Sequence, residues 1–158
     1  EKGFSHDVAS LALAVVGGRP LQAVKLAEQL ESVRREEWFQ NLVTAAIRVR
    51  NILTKAGDFV PRTVDETKFQ SDSEVKLYQK IQEITPKLSD ALKQYQWERI
   101  INLLLDLEPI ISEFFENVLV MAEDPAIREN RLSLLHECNK LFRLVGDLGA
   151  IKGSKSGD

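Results

Sequence analysis

Residues 114–135 read FFENVLVMAEDPAIRENRLSLL, and this stretch decides the fold class. Phe114 and Phe115 close a short apolar-striped run, after which Asp124 and Pro125 punctuate the chain. An aspartate at a helix N-cap accepts from the unpaired N–H groups of the first turn, and a proline just after it gives up an N–H that would be unpaired anyway. From there Ile127, Leu134, Cys138, Leu141, Val145 and Leu148 recur at helical spacing, which predicts an amphipathic helix over about 125–148. Position 131 falls on the same stripe, and it is Arg131. An arginine there either pairs with a carboxylate at a helix interface or reaches outward along its stem to a ligand, and the stripe alone leaves both readings open. Arg128, one turn from the helix start, and Asn130, expected on the polar side, are the nearer candidates for touching a ligand.

The same period runs outward from this stretch, and no segment shows the alternation of a half-buried strand. The chain is therefore read as all-α, a bundle of about six or seven helices with the last packed on the third. A first helix over about 7–16 should stop at Gly17-Gly18, and Pro20 should open a second to about Ser32. The third, about 35–55, carries Phe39, Leu42, Ala46, Val49 and Leu53 on one stripe. Residues 57–73 lack helical period and are expected to form the most flexible loop. Ser73 is expected to cap the next helix, which Pro86 should kink or restart. Pro109 should do the same to a helix beginning near Gln96. Residues 1–150 read as one domain and 151–158 as a disordered tail.

A chain of 158 residues, 44% hydrophobic and 28% charged, is ordinary for one globular domain and can bury about two thirds of its unfolded surface. Its longest apolar run, Leu11–Val16, falls far short of the roughly 20 residues that span a bilayer, so no membrane partner is expected. The net charge is −3, distributed as +2 over residues 1–62, −7 over 63–124 and +2 over 125–158. If the flanks pack side by side, a basic face can sit on an acidic domain. The chain opens at Glu1 without a methionine, which suggests a piece of something longer.

Three strings carry a resemblance to a known family. They are residues 114–135, the opening Gly3-Phe4-Ser5-His6-Asp7-Val8, and Arg48-Val49-Arg50-Asn51-Ile52-Leu53. Together with Leu77-Tyr78 and Pro86-Lys87 they resemble the C-terminal DALR-type anticodon-binding domain of the bacterial-type glycyl-tRNA synthetase β subunit, over roughly residues 3–150. The resemblance implies an all-helical module that binds the anticodon of the glycine tRNA. Its implied partners are the remaining β-subunit domains and the catalytic α subunit. No cofactor is implied for this piece, with ATP and Mg²⁺ belonging to the parent enzyme. The implied location is the bacterial cytoplasm, or a plastid or mitochondrion in a plant. The Asp90-Ala91-Leu92-Lys93 near-match to the family's four letters is read as coincidence.

Candidate contacts follow from helix geometry. Thr44, Arg48, Asn51 and Lys55 line one face of the third helix. A guanidinium can grip phosphate or stack on an unpaired base, and an asparagine can read a base edge with one donor and one acceptor. With Arg128, Asn130 and Arg131 these make the expected RNA-binding set; a solvated helix face is the alternative for the third helix. Phe39 and one of Phe114 and Phe115 are expected in the core, with Trp38 and Trp97 undecided. His136 and Cys138, two apart on a helix, do not face each other and make no nucleophile and base pair. Two rival roles stay open: a helical module that docks a protein partner through an apolar groove, and a structural support within the synthetase.

Overall fold

The computed structural model describes residues 3–151, and among these the regular elements are all helical. They are α1 (His6–Val16), α2 (Pro20–Val33), α3 (Glu37–Lys55), a 3₁₀ turn (Glu66–Lys68), α4 (Asp72–Lys93), α5 (Trp97–Asn117), α6 (Pro125–Val145) and a second 3₁₀ turn (Leu148–Ala150). Helices α1 and α2 form one hairpin and α4 and α5 another, while α3 packs on both α5 and α6, as expected for the last helix on the third. The core is continuous through all six helices and centres on Phe39, Leu42, Leu77, Leu104, Ile111, Phe114 and Leu134.

Several local expectations need correction. Pro86 and Pro109 do not divide their helices; each lies inside one continuous helix. Both prolines are exposed, as are Gln82 and Leu105 four residues before them, so the carbonyl that loses its N–H partner lies on the wet side, where water can replace the bond. The cap of α4 is Ser71 and not Ser73. Ser71 Oγ accepts from the Glu74 N–H at 3.4 Å and Glu74 Oε2 accepts from the Ser71 N–H at 3.0 Å, a reciprocal capping box. Ser73 is buried and accepts from Asn117 Nδ2 at 3.0 Å. Helix α3 starts at Glu37, two residues later than expected. Helix α6 is capped by Asp124, which accepts from the Ala126 N–H at 2.8 Å, but it stops at Val145 because Gly146 adopts φ 100° and ψ −174°.

The segment before α4, expected to be the flexible loop, is a strap pinned across α6. Asp65 N–H donates to Asn130 Oδ1 at 2.8 Å, and Asn130 Nδ2 returns a bond to the Asp65 carbonyl at 3.0 Å. Arg62 N–H donates to Ser133 Oγ at 3.2 Å, and Val64 is buried between these two pins. Ile151, assigned from sequence to the tail, is also buried; the rest of that tail, 152–158, lies outside the described residues.

The turn between α4 and α5 carries a backbone exception. The Gln96 N–H donates to the Ala91 carbonyl at 2.9 Å and the Tyr95 N–H to the Leu92 carbonyl at 3.3 Å, which is the Schellman closure of a helix. The left-handed position in that motif is usually glycine, and here it is Tyr95 at φ 54°. A left-handed backbone costs a side-chain-bearing residue roughly 1–2 kcal/mol, so its ring must return something to be kept.

Candidate nucleic-acid interface

The apolar stripe of α3, Phe39, Leu42, Ala46 and Val49, faces the core. Its opposite side therefore turns outward, and Thr44, Arg48, Asn51 and Lys55 are all exposed on it. Asn41 extends the row by one turn and was missed from sequence. The guanidinium carbon of Arg48 stands 4.4 Å above the centroid of the Phe115 ring. Phe115 is itself held edge-on by Phe114, with ring centroids 5.4 Å apart, and Phe114 is wholly buried. The adjacent aromatic pair thus divides its work: Phe114 is core, and Phe115 is a fixed shelf that keeps one exposed arginine extended.

Between α3 and α5 lies an open groove of about 580 Å³. One wall carries Asn41, Thr44 and Arg48; the other carries Ser112, Phe115 and the carboxylates Glu108, Glu113 and Glu116. Glu113 is paired with Lys76 at 3.1 Å, and Glu108 accepts from Ser112 Oγ at 2.9 Å. Carboxylate oxygens repel phosphate but accept readily from the amino groups of nucleobases. The groove is therefore suited to a splayed base stacked against the guanidinium, with its edge turned to acceptors, and not to a sugar–phosphate strand. Sequence spacing found the α3 face, but the pairing of Arg48 with Phe115 depends on how α3 and α5 lie together, which spacing does not encode.

The α6 candidates form a separate cluster with a different character. Arg128 is half-buried and donates from Nη1 to the Ala122 and Glu123 carbonyls at 3.0 and 3.4 Å, tying down the loop that precedes the helix. Asn130, expected on the polar side, is instead buried, because the strap through Asp65 covers that side. Arg131 is also buried. Its Nε donates to Glu74 Oε1 at 2.9 Å, Nη1 to the Leu119 carbonyl at 2.7 Å and Nη2 to Gln70 Oε1 at 3.1 Å. Of the two readings open for Arg131, the ion pair at a helix interface is the one the geometry displays.

The remaining aromatic and titratable candidates resolve simply. Phe39 is core with Trp38 edge-on to it at 5.5 Å, and Trp97 is buried, its indole N–H donating to Gln22 Oε1 at 3.0 Å. Cys138 is fully buried, and burial pushes its thiol well above the ordinary range. The native chain is accordingly expected to leave Ellman's reagent unreacted, with one thiol released only on denaturation; prompt reaction of the native chain would show that α6 opens locally.

The basic flanks do meet, through the packing of α3 on α6. Arg50 and Arg143 share a groove of about 460 Å³ there with Asn139, and Arg50 contacts Asp147 at 3.4 Å. Among the described residues no helix is long and apolar enough to cross a membrane.

The sequence is 33% identical over 152 residues to the glycine–tRNA ligase beta subunit of Sulfurihydrogenibium sp. (strain YO3AOP1), covering 96% of this chain and 22% of that protein. The beta subunit of Thermotoga petrophila is 36% identical over 148 residues, covering 94% and 21%, and that of Vibrio atlanticus 30% over 152, covering 96% and 22%. This chain thus spans about a fifth of the length of these relatives. Residues 42–151, from within α3 to just past the second 3₁₀ turn, match the DALR anticodon binding domain family, and the chain belongs to that family.

Proposed function

We propose that this chain is a tRNA-binding module of a glycine–tRNA ligase β subunit, engaging the anticodon of the glycine tRNA and contributing no aminoacylation chemistry of its own. On this reading the catalytic α subunit and the other β-subunit domains are its partners, and ATP and Mg²⁺ act elsewhere in the parent enzyme. The cytoplasm is the corresponding location. The observation that carries the reading is the exposed Arg48 guanidinium held over Phe115 at the mouth of the α3–α5 groove. A single-stranded anticodon offers unstacked bases, and such bases are read by stacking on guanidinium or aromatic planes together with hydrogen bonds to their edges. Asn51 and Lys55 continue the same exposed face toward the helix end, where they supply an amide and a positive charge. Arg128, Asn130 and Arg131 have a structural part on this reading, fixing the loop after α5 and the strap before α4.

Arg48→Glu should weaken binding of a glycine-tRNA anticodon stem-loop by about 10-fold or more, in line with the roughly 1–3 kcal/mol carried by one stacked base, with the helical CD spectrum unchanged. Fluorescence anisotropy against the glycine anticodon and an altered anticodon, at low and moderate salt, checks it. Equal affinity for both stem-loops, or indifference to Arg48→Glu, would contradict the proposal.

A further inference from the structure

A second exposed arginine is held over a ring, far along the chain from the first pair. Arg19, just before α2, places its guanidinium carbon 5.2 Å from the centroid of Tyr95, the residue kept in a left-handed backbone at the α4–α5 turn. Tyr95 also leans on buried Trp97, with ring centroids 5.7 Å apart. These residues line an open groove of about 420 Å³ together with Lys93, Leu92 and Leu144. The lining holds two cations and no carboxylate, the reverse of the α3–α5 groove. Arg19 and Lys93 are both exposed, and neither has an ion-pair partner among the described residues.

From this we infer that the Arg19–Tyr95–Lys93 groove is a second RNA contact, one that grips the phosphodiester backbone while the Arg48 groove meets bases. The inference rests on the tRNA-binding reading above. Charge complementarity selects the occupant. Unpaired cations in a groove without carboxylates attract a polyanion, and an arginine extended on a ring presents its N–H edge to phosphate oxygens without first having to be ordered. The same arrangement gives the tyrosine a use at a position where glycine would be easier, since its ring is what Arg19 rests on. Lys93 also complements the C-terminal dipole of α4. A stability change in its variant is therefore uninformative, and the decisive readout is the salt dependence of binding.

The test measures affinity of the full chain for a transcribed glycine tRNA across a salt series, for the unaltered protein, Arg19→Ala/Lys93→Ala and Tyr95→Gly. The double variant should lower the slope of log K against log salt by about 1 to 2, one contact for each lost cation. Its preference for the glycine anticodon over an altered one should be unchanged. Tyr95→Gly, which relieves the backbone and so keeps the fold, should weaken binding by about 3-fold or more. An unchanged slope in the double variant overturns the second contact and leaves the groove to an apolar protein segment. A slope that falls together with anticodon preference overturns the division of labour between the two grooves. If the unaltered chain shows no salt-sensitive binding, the tRNA-binding reading itself fails and takes this inference with it.

Discussion

Arg131→Ala is expected to destabilise the chain by about 3–5 kcal/mol, the usual cost of removing one partner of a buried ion pair. For a domain of this size that corresponds to a fall of about 6–20 °C in the thermal midpoint. Three bonds go at once. Glu74, wholly buried, keeps the N–H groups of Gln70 and Ser71 on one oxygen but loses the guanidinium on the other. The Leu119 carbonyl loses its 2.7 Å donor, and the Gln70 amide loses its partner. Because Glu74 also closes the capping box of α4, the damage reaches α4, α6 and the loop after α5 together. Arg131→Lys keeps the charge but cannot supply three donors in a planar fork, so it should recover only part of the loss. A thermal midpoint left within a degree or two by Arg131→Ala, with RNA affinity reduced, would restore the ligand-contact reading of this residue.

The same arginine shows how far a sequence can be read. Its place on the apolar stripe of α6 was visible from spacing, which left a carboxylate partner and an outward reach to a ligand both open. The identity of the partner was not visible, since Glu74 lies on another helix and looks in sequence like an ordinary first-turn acid. Asn130 misled for a related reason. Helical period places it off the stripe, but the strap at Asp65 covers that side of α6, and no local pattern announces a strap. Pro86 and Pro109 show the opposite case: of the expected kink or restart, the restart does not occur, because a proline on the solvent side of a packed helix costs one bond that water replaces. The α3 face was legible because it is a property of a single helix; Phe115 beneath Arg48 was not, because it is a property of two.

Charge repays the same treatment. The middle third carries −7, which argues against a nucleic-acid partner if the sign is spread evenly. It is not spread evenly. Glu83 sits between Lys80 and Lys87, Asp90 faces Arg99, Glu113 faces Lys76, Asp65 faces Lys68, and Glu74 is spent on Arg131. Hydrogen bonds from Lys80 and Lys87 hold the Glu83 carboxyl below the usual range, as expected of a committed acceptor. The lysines and Arg99 in these pairs are already counted in the −7, so of these contacts only the one between Glu74 and Arg131 draws on a cation from outside the middle third. What a ligand meets is decided by place, and Arg48 and Lys55 on α3 have no carboxylate ion-pair partner among the described residues. Net charge is a poor guide here because RNA meets a face and not a sum.

Gly146→Ala is the second substitution with a large expected effect, about 2–6 kcal/mol. Its φ of 100° with ψ of −174° is a region essentially reserved for glycine, and strain there costs about 1–3 kcal/mol. A Cβ at this position would also stand 2.9 Å from Val15 Cγ2 and 3.3 Å from Leu11 Cγ, and overpacking of that kind adds about 1–3 kcal/mol. The turn matters because it sends the chain from the end of α6 back along α3, where Leu148 and Ile151 are buried and Gly149 lies close to Ile47. Losing it would free the far side of the helix that carries Arg48. Gly17→Ala is the control, since Gly17 has φ 60° but nothing within 4 Å of an added Cβ, so that only the left-handed cost of roughly 1–2 kcal/mol remains. Thermal or urea unfolding of the two variants decides the matter. Equal losses would mean that α1 yields to the new methyl and that the close approach at Gly146 is not what holds the C-terminal return in place; a loss for Gly146→Ala larger by more than about 2 kcal/mol, the most by which the two backbone costs differ, ties the packing of α1 to the docking of that return against α3.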